Sequence, residues 1–362
     1  MIRPVASART DRPILLVTSR VPPERVGALR ALAERAPVEV AVFEGRNHHF
    51  TESVDDPGVP THRVSQAEVL RLASARGRWR AVIAGTAGRI ALPAAWRGAR
   101  MAGTPFVLWS AMWHEPTTPA FVVARPMLRR IVRDADAVAT YGAHVSAHVR
   151  ALGGRRVHIA PQAVDPAVWV DPVATPRPPG SPFRITYVGR DAPGKGLEIL
   201  LVAWRQTNLH EAIGAELTLL GPESASDAGL PGVRAHGPVP PDEVRAWLDG
   251  SDALCVPSER TASFLEPWGL VCNEALHRGV PVVATDAVGA AMGGLVRDGR
   301  NGRVVPASHP LELARALTAL AMNPDTARAL GDAGRRDVRP FTYDAWAAGM
   351  VAAVQDAEQH AT

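Results

Sequence analysis

Two carboxylates, two cations and a short loop in the second half of the chain have the residue types needed to bind a charged, hydroxyl-rich ligand. Glu266 and Glu274 lie eight positions apart, with a loop and a predicted helix start at Gly269 between them. A carboxylate accepts hydrogen bonds at both oxygens, so each acid suits neighbouring sugar hydroxyls. Arg190 and Lys195 flank a loop whose cations and backbone amides suit a diphosphate. A nucleotide-sugar combines these features, with hydroxyls at both ends and negative charge between them.

The predicted elements place these residues at strand ends. Arg190 follows an apolar strand, Arg184–Val188, and Lys195 precedes a helix, Leu197–Thr207. Glu266 follows a strand that ends before Pro257, and a helix over 269–278 carries Glu274. Apolar strands that alternate with helices along nearly the whole chain predict parallel sheets covered on both faces. In such sheets ligands bind beyond the carboxyl ends of the strands.

A proline-rich segment divides the chain. Residues 171–182 read DPVATPRPPGSP, which has no periodicity and predicts a linker. We therefore expect an N-terminal α/β domain over 1–170 and a second over 183–340, each a Rossmann-like doubly wound parallel sheet, facing a cleft. An amphipathic segment follows Pro340, and we expect this helix within 341–362 to cross back to the N-terminal domain.

Composition excludes several classes of protein. The 362 residues are 46% hydrophobic, with two cysteines, Cys255 and Cys272, too few for a disulfide framework. No apolar run approaches the roughly 20 residues that a membrane span needs. No basic–aromatic pattern or known module favours nucleic-acid binding. A cytoplasmic protein is expected.

A cluster of basic residues in the first half has two possible interpretations. Arg125, Arg129, Arg130 and Arg133 fall on one predicted helix. They form either a solvated helix face or a surface that contacts anionic lipid or a phosphorylated substrate. The second reading predicts peripheral contact of the N-terminal domain with the inner face of the membrane.

The second half closely resembles the nucleotide-sugar domain of retaining GT-B glycosyltransferases, in particular family 4 (glycosyl transferases group 1). The resemblance covers about residues 183–306. The shared motifs are Gly189-Arg190, Lys195-Gly196, Pro257-Ser258, the Glu266-x7-Glu274 pair, Gly279-x-Pro281-Val282-Val283-Ala284-Thr285-Asp286, and Val296-x-Asp298-Gly299-x-Asn301-Gly302.

The resemblance implies a role for each matching residue of the second half. Arg190 and Lys195 would neutralise the donor diphosphate beside Gly189. Glu274 would bind the ribose hydroxyls, and Glu266 would contact the transferred sugar. Backbone groups would complete the site, namely those of Trp268, Gly269, Leu270 and, at the base, Val239.

The first half matches the family less well. The family often has a Gly-Gly pair at its first helix, whereas this chain has Val26-Gly27, so only Gly27 remains as a candidate contact. His114 follows a predicted strand at the position where family members place a histidine near the transferred sugar. Trp109 and Trp113 either stack on a sugar or pack inside the domain.

The predicted activity is transfer of a sugar from a nucleoside-diphosphate sugar to a lipid, polysaccharide or small metabolite, with retained anomeric configuration. The resemblance implies front-face attack without a covalent intermediate, and neither metal nor cofactor. Two alternatives stay open: a GT-B epimerase or phosphorylase, and a non-catalytic nucleotide-sugar-binding partner of another transferase. A nucleophilic role for Glu266 is not expected.

Overall fold

The chain forms two compact units, each built on one parallel sheet. The computed structural model describes residues 11–43, 54–170, 178, 180–222 and 229–361. One unit comprises Met1–Ala163 with Thr342–Thr362, and the other comprises Val164–Phe341. The Rossmann-like α/β architecture expected from the alternating strands and helices is confirmed in both units.

The first unit contains a seven-stranded parallel sheet of order β3-β2-β1-β4-β5-β6-β7. Its strands are β1 (Ile14–Thr18), β2 (Val38–Val42), β3 (Thr61–Arg63), β4 (Val82–Gly85), β5 (Phe106–Ser110), β6 (Ala137–Thr140) and β7 (Val157–Ile159). Its helices are α1 (Pro23–Ala33), α2 (Glu68–Ala73), α3 (Ala91–Ala102), α4 (Pro119–Asp134) and α5 (Ala143–Ala151), with one further helix from the end of the chain.

Strand β1 shows why this sheet lies in the middle of the unit. Ile14 and Leu16 pack into the layer that contains α1, whereas Leu15 and Val17 pack into the layer of α3. All four side chains are at most 1% exposed. Successive strand residues point to opposite faces, so a continuous apolar run is stable only where helices cover both faces.

The last helix of the chain belongs to the first unit, where the sequence analysis expects it. This helix, Tyr343–His360, begins at Thr342, whose hydroxyl accepts a hydrogen bond from the amide of Ala345 at 3.0 Å. Its buried face includes Trp346, which is fully buried in the same layer as α1. Near its end Glu358 accepts two hydrogen bonds from Arg80, at 3.0 and 2.9 Å.

The second unit contains a six-stranded parallel sheet of order β10-β9-β8-β11-β12-β13. Its strands are β8 (Arg184–Val188), β9 (Glu216–Leu220), β10 (Val233–Ala235), β11 (Ala253–Val256), β12 (Val282–Thr285) and β13 (Gly302–Val305). Its helices are α6 (Pro166–Trp169), α7 (Leu197–Thr207), α8 (Leu209–Ile213), α9 (Pro241–Asp249), α10 (Val271–His277), α11 (Gly289–Met292), α12 (Pro310–Ala321) and α13 (Pro324–Asp337); the helix Tyr343–His360 of the first unit is α14.

The domain boundary differs from the expected one, because residues 164–170 belong to the second unit. The buried guanidinium of Arg278 donates to the carbonyl oxygens of Trp169, at 2.9 Å, and Val170, at 3.4 Å. The carboxylate of Asp249 holds the same guanidinium at 2.5 Å. These contacts join α6 to Arg278, 109 positions after Trp169, which local sequence patterns do not reveal. Most of the predicted linker, 171–182, lies outside the described residues.

Elements with few apolar residues were missed or shifted. The edge strands Thr61–Arg63, Val233–Ala235 and Gly302–Val305 were not predicted, since none is a continuous, fully buried apolar run. Helix α10 begins at Val271, two residues after the predicted start at Gly269. The glycine has a φ of +85°, a left-handed conformation outside the helical region.

Replacement of Gly349 tests the docking of α14. A Cβ there would lie 2.2 Å from the carbonyl oxygen of Ile159 and 2.8 Å from Cα of Ala160. Helix propensity alone predicts that Gly349→Ala stabilises the protein by about 1 kcal/mol. We expect destabilisation instead, by about 1–3 kcal/mol, because the backbones must separate. The measurement is urea unfolding followed by tryptophan fluorescence.

The control for this experiment lies next to Gly349 on the same helix. Ala348 is exposed, so Ala348→Gly should lose only the propensity difference, about 1 kcal/mol. A Gly349→Ala protein that unfolds at higher urea than the unmodified chain would show that α14 does not approach β7 closely.

Candidate functional site

The strongest candidate site lies at the carboxyl ends of β8 and β11 in the second unit. The ammonium group of Lys195, in the loop after β8, donates to Oε2 of Glu266 at 2.5 Å. Both side chains are largely buried, with 22% of Lys195 and 10% of Glu266 exposed. The structure therefore brings together two residues that the sequence places 71 positions apart and that were predicted to share one site.

Gly196 allows Lys195 to reach this position. Its φ is +73°, and a Cβ there would lie 1.8 Å from the carbonyl oxygen of Pro257. Any side chain would therefore push the loop after β8 away from the end of β11. A backbone hydrogen bond from Glu259 to the carbonyl of Gly194, at 2.8 Å, joins the same two loops. In the Lys195-Gly196 motif, the lysine therefore supplies the cation, and the glycine allows the loop after β8 to lie close to the end of β11.

Glu266 is held by contacts on several sides. Its Oε2 accepts from the hydroxyl of Ser258 at 3.5 Å, and its carbonyl accepts from the amide of Gly289 at 3.1 Å. Ser258 is itself fixed, because its carbonyl accepts from the hydroxyl of Thr285 at 2.5 Å. The carboxylate is therefore positioned by the ends of β11 and β12 together.

A cavity of about 190 Å³ opens beside this ion pair. Its walls are formed by the two charged groups, the loop that contains Gly269, and the ends of β8 and β11. The lining residues are Tyr187, Val188, Lys195, Val256, Ser258, Glu266, Gly269, Leu270 and Val271. Four residues predicted for the site therefore meet at one cavity: Lys195, Glu266, Gly269 and Leu270.

Tyr187 was missed as a site residue because it lies within an apolar strand. Its ring is 2% exposed, and its hydroxyl donates to the carbonyl oxygen of Arg190 at 3.0 Å. Burial, reinforced by the negative charges of Asp191 and Glu266, raises the pKa of this phenol. It therefore stays a neutral donor that holds the start of the Arg190 loop. An aromatic residue with a polar tip, two positions before Gly189, was the available signal.

The amino-acid composition also distinguishes Lys195 from the other basic residues of the chain. Lys195 is the sole lysine of the chain, and the other 39 of its 40 basic residues are arginines. An ammonium is a compact point charge with three donors, whereas a guanidinium is a planar fork. The single departure from arginine occurs at the group that pairs with Glu266.

Three other predicted residues, Arg190, Glu274 and Val239, are not among the residues that line the cavity. Glu274 is half-buried, one turn after Leu270 on α10. Cys272 lies between the two acids: burial first, and then the charges of Glu266 and Glu274, raise the pKa of its thiol. Val239 lies between β10 and α9, in a loop held by a hydrogen bond from Gly221 N to Gly237 O at 2.6 Å.

Trp268 and Asn301 have structural roles that the motif alone did not reveal. The indole N–H of Trp268 donates to Oδ1 of Asn273 at 2.7 Å inside the unit, so the side chain has a structural role, and the predicted sugar contact concerns the backbone amide. Asn301 is fully buried. Its side chain accepts from Arg297 N at 2.7 Å and donates to Leu295 O at 2.9 Å and to Asp337 Oδ2 at 3.0 Å.

Two further predicted site residues, His114 and Gly27, lie in the first unit. His114 is half-buried in the turn after β5. Gly27 lies within α1, and a Cβ there would be 2.2 Å from Cε2 of Tyr343. The glycine is therefore explained by the ring packed on it, and a ligand contact at Gly27 stays a prediction.

Trp109 packs inside the first unit, which decides one of the alternatives left open. It is 8% exposed, and its ring lies 5.7 Å from that of Trp346 and 5.8 Å from that of Tyr141. The guanidinium of Arg25 lies 5.0 Å from the Trp109 ring centroid, a cation–π arrangement. Trp113 makes an edge contact with His144, with ring centroids 5.1 Å apart.

No group of three His, Cys, Asp or Glu side chains within the described ranges is placed to hold a metal ion. Among the helices of those same ranges, none combines the length and apolar character needed to cross a bilayer.

The family model for "Glycosyl transferases group 1" matches residues 182–323, the part of the chain that holds the cavity. Curated relatives match over similar regions. A D-inositol 3-phosphate glycosyltransferase of Streptomyces coelicolor is 39% identical over 119 residues, 32% of this chain and 24% of that protein. One from an Arthrobacter species is 30% identical over 213 residues, 53% of this chain and 48% of that protein. The matches thus span less than half the length of these relatives.

Solved structures match over nearly the whole chain. Sucrose-phosphate synthase from Thermosynechococcus elongatus superposes with a TM-score of 0.73 at 19% identity, covering 94% of this chain and 97% of that one. HepE from Anabaena, in complex with UDP-glucose, gives 0.70 at 17% identity, with coverages of 96% and 98%. At such identities the likeness shows the fold, which is that of the GT-B glycosyltransferases.

Proposed function

We propose that this protein is a glycosyltransferase, because residues 182–323 match the family model for glycosyl transferases group 1 and the chain has the GT-B fold. It takes a sugar from a nucleoside diphosphate and moves it to a hydroxyl acceptor. The observation that carries the proposal is the Lys195–Glu266 pair beside a cavity at the strand ends.

The cations of the second unit suit the leaving group of this reaction. Negative charge develops on the diphosphate as the bond to the sugar breaks, and fixed cations stabilise that charge. Lys195 faces the cavity, and Arg190 lies five positions earlier in the same loop. These two residues would neutralise the diphosphate without a metal ion. HepE was crystallised with UDP and with UDP-glucose, which makes UDP the first nucleotide to test.

The acids suit the hydroxyl groups at the two ends of the donor. Glu266 lies against the cavity and would accept from the transferred sugar, and Glu274 would accept from the ribose. Glu266 and Lys195 pair with each other, and the donor would bring hydroxyls to the acid and phosphate oxygens to the amine. Each buried charge would thereby keep partners throughout the exchange.

We propose retention of configuration by front-face attack. The leaving phosphate oxygen would take the proton of the acceptor hydroxyl, and the new bond would form on the face from which the diphosphate departs. Glu266 already binds Lys195 and Ser258, an arrangement suited to hydroxyl contact more than to nucleophilic attack. His114 is proposed to lie near the transferred sugar.

The acceptor would be bound by the first unit. The curated relatives named above act, by their names, on D-inositol 3-phosphate, which makes a cyclic polyol phosphate the first acceptor to test. Lipid and polysaccharide acceptors complete the panel. We also propose that the first unit contacts the membrane surface peripherally.

Donor binding is tested by thermal unfolding with nucleoside diphosphates. UDP at 100 times its dissociation constant should stabilise the protein by about 2.7 kcal/mol. Lys195→Ala should reduce this stabilisation. Arg234→Ala, which removes an exposed charge from β10 in the same unit, should leave it intact. If no nucleoside diphosphate raises the unfolding temperature, the proposed donor is wrong.

Turnover of UDP-glucose, followed as release of UDP, tests the role of Lys195. Lys195→Ala should lower kcat by about 10²–10³-fold, as for other groups that stabilise transition-state charge. Lys195→Arg keeps the positive charge but should remain well below the unmodified enzyme, since the fork does not reproduce a point charge. Arg234→Ala serves again as the control.

The results separate the catalyst from its alternatives. Normal turnover by Lys195→Ala would refute its role in the reaction. Stabilisation by UDP with no turnover of any donor across the acceptor panel would identify the protein as a binding partner of another transferase. Formation of an isomerised nucleotide-sugar would indicate an epimerase, and formation of sugar 1-phosphate from an oligosaccharide and inorganic phosphate would indicate a phosphorylase.

The stereochemical proposal predicts the first product of donor hydrolysis. Proton NMR should show α-glucose before mutarotation when UDP-α-glucose is the donor. Glu266→Gln should yield the same anomer at a lower rate, because a hydroxyl contact is weakened and no nucleophile is lost. Early β-glucose, or a glycosyl adduct on Glu266 detected by mass spectrometry, would contradict front-face attack.

A further inference from the structure

Helix α4 of the first unit exposes apolar and basic side chains on the same face. Val123 is 82% exposed, and Val122 and Met127 are each 44% exposed. Arg129 and Arg130, further along the helix, have 45% and 64% of their side chains exposed. The exposed part of α4 thus combines apolar area with basic side chains, the two features that favour binding to an anionic membrane surface.

A groove runs beside the basic half of α4. It has a volume of about 470 Å³ and is lined by Arg125, Pro126, Arg129, Arg133, Ala151 and Leu152. The three arginines follow one another at intervals of four residues, so their side chains leave α4 on one side. The end of α5 forms the opposite wall. We call these residues the α4 groove.

The α4 groove keeps an excess of positive charge after its internal ion pair is counted. Arg129 binds the carboxylate of Glu115 through two hydrogen bonds, at 2.8 and 2.5 Å. These bonds, with the charge of Arg125, lower the pKa of Glu115, which stays ionised at neutral pH. Three arginines against one acid leave two positive charges in a space large enough for a phosphate group.

The positions of the arginines are set by packing as well as by charge. Nε of Arg133 donates to the carbonyl of Arg129 at 3.2 Å. The Cγ of Arg133 lies close to Gly153, where a Cβ would be 2.9 Å away. Gly153 has a φ of +90° and ends the turn after α5. The aliphatic part of Arg133 is thereby held against this turn, and the residue lines the groove.

We propose that the α4 groove binds the phosphate of an anionic phospholipid headgroup while Val122, Val123 and Met127 enter the boundary of the acyl chains. The apolar side chains favour a lipid over a soluble phosphate compound, because only a bilayer offers them an apolar phase beside the phosphate. The inference rests on the proposed peripheral membrane contact and gives it a definite site. It is independent of the donor chemistry in the second unit.

The test is cosedimentation of the full chain with vesicles of equimolar phosphatidylglycerol and phosphatidylcholine, compared with phosphatidylcholine alone. Each basic residue near an anionic surface strengthens binding about fivefold, so Arg125→Gln with Arg133→Gln should weaken it about 30-fold. Arg315→Gln with Arg328→Gln removes the same charge from exposed positions on α12 and α13 and should change binding little.

A second pair of variants tests the apolar part. Val123→Ser should weaken vesicle binding several-fold, since it removes the most exposed apolar side chain of α4. Val202→Ser makes the same change on α7, where the valine is 37% exposed, and should leave binding unchanged. Both arginine double variants and both valine variants should retain stabilisation by UDP.

The outcomes distinguish this inference from the proposals on which it rests. Equal vesicle binding by the two arginine double variants would refute the α4 groove while leaving membrane contact in place. Absence of binding to any vesicle would refute both. Stabilisation by inorganic phosphate that depends on Arg125 and Arg133, without vesicle binding, would identify a soluble phosphorylated ligand and overturn the lipid assignment.

Discussion

The ion pair between Lys195 and Glu266 is the interaction on which the candidate site depends. It joins the loop after β8 to the loop after β11 at a distance of 2.5 Å, and neither charge can lose its partner cheaply in so buried a position. Gly196 makes the pair possible, because it lets one loop rest on the carbonyl of Pro257. The glycine and the ion pair together therefore fix the positions of the charges beside the cavity.

Much of the second unit could be predicted because its chemistry and its strands are both local patterns. Largely apolar runs such as Ile185–Tyr187 predict the strands, and the acids and cations follow the strand ends. Lys195 and Glu266 meet as a consequence of that placement. The role of Tyr187 could not be predicted in the same way, since its hydroxyl acts on a backbone carbonyl that only the folded loop brings near.

The failures have a common physical cause, which is long-range packing. Residues 164–170 carry no signal that assigns them to either unit, and a guanidinium more than a hundred positions later decides the matter. The neighbours of Gly27 and Trp109 could not be predicted for the same reason. In the fold, Tyr343 of α14 packs against Gly27 and Trp346 of α14 packs against Trp109, whereas a ligand contact at Gly27 stays a prediction.

Asn301 shows what a sequence signature records. It belongs to the motif by which the second half resembles the glycosyltransferase family, yet it is buried, and its side-chain amide bonds to neighbouring backbone groups and to Asp337. A chain that lost its chemistry would still need this asparagine in order to fold. A diverged, inactive descendant would therefore keep part of the signature, and Lys195 with Glu266, more than Asn301, would tell it from a working enzyme.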